Sequence, residues 1–128
     1  FINDRLGHAA GDLALIKTAH LLKSLVRETD LVARYGGDEF TIILPNTGFP
    51  NALAVGTKIL AAFRKYQFKK DSMSLGMISL SIGISALPDE GIDTSEKLIE
   101  AADKAMYRAK ESVKNNVCTS REVNKASQ

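Results

Sequence analysis

The chain has 128 residues, a formal net charge of +2, 45% hydrophobic and 25% charged residues, which is the size and composition of one globular domain with one core. No apolar run approaches the roughly 20 residues that span a bilayer and nothing resembles a signal peptide, so membrane contact by this domain is not expected. The small net charge and scattered lysines exclude a nucleic-acid footprint while leaving phosphate binding by a few local cations open, and the single Cys118, which cannot form an internal disulfide, predicts a reducing, cytoplasmic setting.

The first motif begins within three residues of Phe1, and the sequence reads as a fragment of a longer chain. Over residues 12–28, apolar Leu15, Ile16, Ala19, Leu22 and Val26 recur at helical spacing with Lys17, Lys23, Ser24 and Arg27 between them, predicting an amphipathic helix opened by Asp12. Residues 31–35 and 40–44 read as short strands rich in Val, Ile, Phe and Tyr. Between them, Gly36-Gly37 can take the positive φ angles of a tight hairpin. That turn carries Asp38 and Glu39 side by side. Two carboxylates so close repel each other, and a divalent cation faced by both explains them better than isolation does.

After the turn cluster Pro45-Asn46-Thr47-Gly48, with Thr47 as a cap, a second helix is predicted to about Lys65 with Pro50 in its first turn. Residues 69–74 are polar and read as a connecting loop or hairpin end. Ile78, Leu80, Ile82 and Ile84 alternate with Ser79, Ser81, Gly83 and Ser85, predicting a central strand with one face on the core. Asp93-Thr94-Ser95-Glu96 has capping-box spacing, and Leu98, Ala102, Ala105 and Ala109 form one face of a third helix. Residues 118–128 are polar and aperiodic, and are expected to be a disordered tail after a domain at 1–117. Strands and helices in this order predict an α/β fold, a mixed sheet covered by helices.

Gly36-Gly37-Asp38-Glu39-Phe40 resembles the signature of the GGDEF family of diguanylate cyclases, and three further motifs stand in the family's order. Ile2-Asn3-Asp4 with Gly7-His8 and Gly11-Asp12 is similar to its guanine-binding segment. Arg27-Glu28-Thr29-Asp30 is similar to the RxxD of its inhibitory site, and residues 102–110 to its C-terminal helix. The resemblance implies an α+β sandwich whose mixed, mostly antiparallel central sheet is related to the nucleotidyl cyclase and polymerase palm. It implies condensation of two GTP into cyclic di-GMP with release of two pyrophosphates, by two facing domains of a catalytic homodimer, with Mg²⁺ or Mn²⁺ as cofactor.

By the same resemblance, Asp38 is a metal-binding acid and general base, and Glu39 its acidic neighbour at the ions. Gly37 lets the backbone approach the nucleotide. Asn3 and Asp12 read guanine, whose N1–H and N2–H₂ one carboxylate can accept together, and His8 lies on the substrate side. Lys110 and Lys114, four apart, take the β- and γ-phosphates; Val113-Lys114 stands where the family has Gly-Arg, which removes bidentate geometry. Arg27 and Asp30 bind cyclic di-GMP as feedback inhibitor. A strand preceding Phe1 is expected to supply a further metal-binding Asp and a Lys, without which the fragment is expected to bind nucleotide poorly or be inactive.

Blander roles fit some of these residues. Asp12 suits a helix N-cap and Asn3 a turn; His8 suits a structural loop histidine. Arg27 and Asp30 suit a surface ion pair, and Lys110 and Lys114 suit a helix C-terminus. At the level of function the alternatives to a cyclase are a non-catalytic module sensing GTP or cyclic di-GMP, and an interaction domain that binds no nucleotide. The intact signature favours catalysis.

Overall fold

In the computed structural model, which describes residues 8–66, 68–70, 73–76, 80–112 and 116–127, helices alternate with short strands. In chain order these are α1 (His8–Leu25), β1 (Leu31–Arg34), β2 (Phe40–Ile43), α2 (Phe49–Lys65), β3 (Phe68–Lys70), β4 (Met73–Gly76), β5 (Ser81–Ile84), α3 (Ser95–Ser112), β6 (Asn116–Thr119) and α4 (Ser120–Ser127). The chain divides into two compact units, Phe1–Pro45 with Ala62–Ile78, and Asn46–Ala61 with Ser79–Gln128.

In the first unit, α1 begins at His8, a turn before the predicted start, so Asp12 lies inside the helix rather than capping it. Its buried stripe is Ala14, Leu15, Thr18 and Leu22, residues that the 3.6-residue period brings to one side. Predicted Ile16 is instead 53% exposed. Polar Thr18 takes the buried position because its hydroxyl donates to the Ala14 carbonyl at 2.7 Å, which satisfies it locally. The helix stops where Asp30 intervenes. Its carboxylate accepts the Arg27 N–H at 2.8 Å and its own N–H donates to the Arg27 carbonyl at 3.0 Å, closing a turn that leads into β1. Strands β1 and β2 form the predicted antiparallel hairpin, in register from Leu31↔Ile43 to Arg34↔Phe40. The polar stretch at 69–74 falls in a second antiparallel hairpin, β3–β4. Phe63, on the part of α2 belonging to this unit, is fully buried, a burial that stabilises by roughly 1.5–3 kcal/mol.

In the second unit, α2 opens with the Ala52 N–H donating to the Gly48 carbonyl at 3.0 Å, so its first turn closes on Gly48, one residue past predicted Thr47. Pro50 sits in that turn as expected. The α3 cap also lies one residue along: Thr94, not Asp93, accepts the Lys97 N–H at 3.2 Å, while Asp93 pairs with Lys97 Nζ at 2.8 Å. The predicted alanine face is realised, with Ala105 and Ala109 fully buried against Cys118. Small side chains there let α3 lie against β5. A Cβ built on Gly83 would run into the Ala102 carbonyl and the Met106 backbone nitrogen, so glycine is required at that crossing.

β5 pairs in parallel with β6, Ser81↔Asn116 through Ile84↔Thr119, with α3 as the connection between them. Residues 77–79, the start of the predicted central strand, lie outside the described residues. Among the described residues the strands form three separate two-stranded sheets, two antiparallel and one parallel.

The expected disordered tail is corrected by the structure. Residues 116–119 are β6 and Ser120–Ser127 form α4, with Cys118, Thr119 and Ser120 buried and Val123 packed on the Ala105–Ala109–Cys118 cluster. The overlooked signal is a capping box in Thr119-Ser120-Arg121-Glu122: Thr119 Oγ1 accepts the Glu122 N–H at 3.4 Å. Arg121 then ties the helix down, bonded to Asp89 from Nε at 3.0 Å and lying 3.8 Å above the centre of the Phe49 ring. Among the described residues, no helix is long and apolar enough to cross a membrane.

Candidate functional site

The β1–β2 hairpin presents its acids at a tip of three residues. Tyr35 N–H donates to the Glu39 carbonyl at 2.7 Å, leaving Gly36, Gly37 and Asp38 to make the reversal. Only Gly36 uses the left-handed region, at φ +84, where a Cβ would be strained. Gly37 needs no such angle, and a Cβ built on it meets nothing within 4 Å. Neither backbone conformation nor packing among the described residues therefore demands glycine at position 37. What its absence of a side chain leaves open is space in front of the turn.

Asp38 is exposed and Glu39 half-buried, and the described residues offer neither carboxylate a hydrogen-bond or ion-pair partner. Adjacent, unpaired carboxylates on a glycine turn suit a hard divalent cation or a proton in transfer. Among the described residues no group of three or more His, Cys, Asp or Glu side chains could hold a metal ion, so Asp38 and Glu39 are at most part of a ligand set. Passed over by the sequence reading, Arg34 reaches from the end of β1 to the Gly37 carbonyl, with Nε at 2.9 Å and Nη2 at 2.6 Å.

The other predicted site residues are distributed as follows. Asn3 and Lys114 lie outside the described residues. His8 is the first residue of α1, and Asp12 sits exposed one turn further along. Lys110 is exposed in the last turn of α3 with its Nζ 5.8 Å from the Tyr107 ring centre, a weak cation–π contact at most. Asp12, Gly37, Asp38 and Glu39 belong to the first unit, Lys110 to the second.

Arg27 and Asp30 are paired by the structure as the spacing predicts, and more tightly than a typical surface i,i+3 pair. Arg27 Nη2 lies 2.8 Å from Asp30 Oδ1 and Nε 3.2 Å from both carboxylate oxygens. The Asp30 side chain is 2% exposed and that of Arg27 56%, so the guanidinium is the accessible member. It also donates from Nη2 to the Pro45 carbonyl at 2.9 Å, a partner that sequence spacing could not reveal. The Arg27 side-chain hydrogen bonds hold the Asp30 carboxyl below the usual aspartate range against the opposing effect of burial. A depressed carboxyl pKa contributes stability above its unfolded value, and that contribution is lost as pH falls through the folded one. Carboxyl-detected NMR is accordingly expected to show Asp30 titrating below about 3.9, and Arg27→Ala to move that midpoint upward; an unmoved midpoint would remove Arg27 as the cause.

Comparison with known proteins covers most of the chain. The family model described as diguanylate cyclase, GGDEF domain, matches residues 1–116. The chain is 37% identical over 120 residues to diguanylate cyclase A of Treponema denticola, covering 94% of this chain and 32% of that protein. It is 44% identical over 110 residues to the diguanylate cyclase TpbB of Pseudomonas aeruginosa, covering 85% of this chain and 25% of that protein. The chain thus spans a quarter to a third of the length of these relatives. The crystal structure of the TpbB GGDEF domain superposes with a TM-score of 0.83 at 40% identity, covering 92% of this chain and 73% of that one. The fold is the nucleotidyl cyclase palm common to such domains.

Proposed function

This chain belongs to the diguanylate cyclase GGDEF domain family, and we propose that it condenses two molecules of GTP into cyclic di-GMP, releasing two pyrophosphates. The observation that carries this reading is the hairpin tip: an exposed Asp38 with no partner among the described residues, beside a Gly37 that neither its φ nor any described neighbour requires. In each half-reaction a ribose 3′-hydroxyl of one nucleotide displaces pyrophosphate from the α-phosphorus of the other, which demands in-line placement and removal of the hydroxyl proton. Asp38 is assigned to accept that proton. Asp38 and Glu39, as hard oxygen donors, are the described residues that would hold Mg²⁺ or Mn²⁺, which when bound neutralises triphosphate charge.

Asp12 and Asn3 are assigned to the guanine edge. A carboxylate there accepts two guanine N–H groups and is left unpaired by adenine, which discriminates by several kcal/mol. His8 is placed on the substrate side, and Lys110 and Lys114 on the β- and γ-phosphates. Because each active site brings together two nucleotides held by two domains, a second copy of this domain is the catalytic partner, in the cytoplasm where GTP is available.

The test is incubation of the full-length protein with GTP and Mg²⁺, products resolved by chromatography. Cyclic di-GMP is expected from GTP and no cyclic dinucleotide from ATP. GTP binding without product would replace the cyclase with a nucleotide-sensing module, and absence of binding would leave an interaction domain.

Feedback by product is assigned to the exposed Arg27 guanidinium held by Asp30. Arg27→Ala is expected to raise the cyclic di-GMP concentration that halves the initial rate by roughly tenfold or more, the scale of losing a charge-assisted contact. Initial rates measured across added product decide it, and unchanged inhibition would place the ligand elsewhere.

A further inference from the structure

The contact between Arg34 and Gly37 has no part in the chemistry assigned above. Arg34 is exposed at the end of β1, and its guanidinium turns back over the hairpin tip to place two donors, Nε at 2.9 Å and Nη2 at 2.6 Å, on a single carbonyl. That carbonyl is Gly37's, and it belongs to the peptide that also carries the N–H of Asp38. The peptide is trans and planar, so its C=O and N–H point in opposite directions. Holding the carbonyl toward Arg34 turns the Asp38 amide away from it. The N–H groups of Gly36, Gly37 and Asp38 find no acceptor among the described residues.

The tip needs such a restraint. Two consecutive glycines have the widest conformational freedom of any dipeptide, and among the described residues a Cβ on either would touch nothing within 4 Å, so no described neighbour packs them in place. The Tyr35–Glu39 hydrogen bond closes the base of the loop but does not set the plane of the Gly37–Asp38 peptide. Resting on the cyclase reading, the geometry points to Arg34 as a positioning residue: by gripping the Gly37 carbonyl it aims the Asp38 amide at a phosphoryl oxygen of the nucleotide and fixes the backbone from which the Asp38 carboxylate projects. Unpaired amides of a turn are neutral donors suited to an anion. A solvent-exposed hydrogen bond adds little to fold stability, so the consequence of the grip falls on the reaction, where misplacement by about 1 Å can cost ~10²-fold in rate.

The experiment uses the full-length protein with Arg34→Ala and Arg34→Lys, the latter retaining a donor for the carbonyl. Arg34→Ala is expected to lower kcat by about tenfold or more while KM for GTP stays within about threefold, with the melting temperature nearly unchanged. In ¹⁵N-resolved NMR spectra the Asp38 amide is expected to shift and broaden in Arg34→Ala, and Arg34→Lys to recover part of both the spectrum and kcat. An unchanged kcat in Arg34→Ala, with the wild type turning over, overturns this inference alone. A kcat loss with an unperturbed Asp38 amide also overturns it, because Arg34 would then act on substrate directly. A wild type that makes no cyclic di-GMP overturns the cyclase reading itself.

Discussion

Replacing Asp38 with alanine is expected to lower cyclic di-GMP formation by about 10²–10⁴-fold, the range for removing a positioned general base, while the domain stays folded. Both halves of that expectation come from the same surroundings. Asp38 is exposed at the hairpin tip and the described residues give its carboxylate no partner, so truncation leaves no unsatisfied group and opens no cavity; the melting temperature is expected to move by less than about 2 °C. Asp38→Asn keeps the shape, removes the charge and the basicity, and is expected to be nearly as inactive. Glu39 is half-buried beside it, and Glu39→Gln serves as the comparison that separates a general loss of turn charge from loss of the base. Cyclic di-GMP quantified from single-turnover and steady-state reactions decides the matter. Undiminished turnover in Asp38→Ala would take the acid out of the chemistry, whereas low turnover with a collapsed melting transition would make its role structural.

The largest expected effect on stability lies at Gly83→Ala. The methyl group would meet backbone, the Ala102 carbonyl and the Met106 nitrogen of α3, rather than a flexible side-chain end that could swing aside. Relief therefore requires α3 to lift from β5, and the helix carries Ala105 and Ala109 in the buried cluster with Cys118. Overpacking of this kind costs about 3 kcal/mol, a large share of the 5–15 kcal/mol typical of a domain, and a fall in melting temperature on the order of 10 °C is expected by calorimetry. Gly56 is the internal control. A Cβ there meets the Cδ1 end of Ile84 at 2.5 Å, a side chain able to change rotamer, so Gly56→Ala should be milder. Equal melting temperatures for the two variants would show that α3 yields easily and that the crossing is not tight.

Helix stripes and the hairpin were legible in the sequence because they depend on local period and turn chemistry. Ala105 and Ala109 lie where the pattern puts them, and the Arg34↔Phe40 register follows from a five-residue connection centred on glycine. Thr18 and Ile16 exchanged places because a self-satisfied hydroxyl can be buried, which polarity scales do not register. The C-terminal strand and helix escaped notice for a different reason: β6 is defined by its pairing with β5 across all of α3, and α4 by long-range contacts of Arg121 with Asp89 and Phe49. Within the candidate site, residue types and spacing exposed Asp38, Glu39, Arg27 and Asp30. The grip of Arg34 on Gly37 and the bond from Arg27 to Pro45 involve backbone carbonyls, and a carbonyl has no letter in a sequence.

The pairing of β5 with β6 sets an order of events during synthesis. The first unit's two hairpins join neighbouring stretches and can close soon after they leave the ribosome, since short loops form quickly. β5 emerges with no antiparallel neighbour among the described residues and waits until α3 and then β6 have followed, the slow, non-local kind of closure. During that interval its edge is open to other chains. A chain interrupted just before Asn116 would lack the strand that pairs with β5 and the Cys118 and Val123 side chains that pack on Ala105 and Ala109, which makes residues 116–127 a checkpoint for solubility during translation.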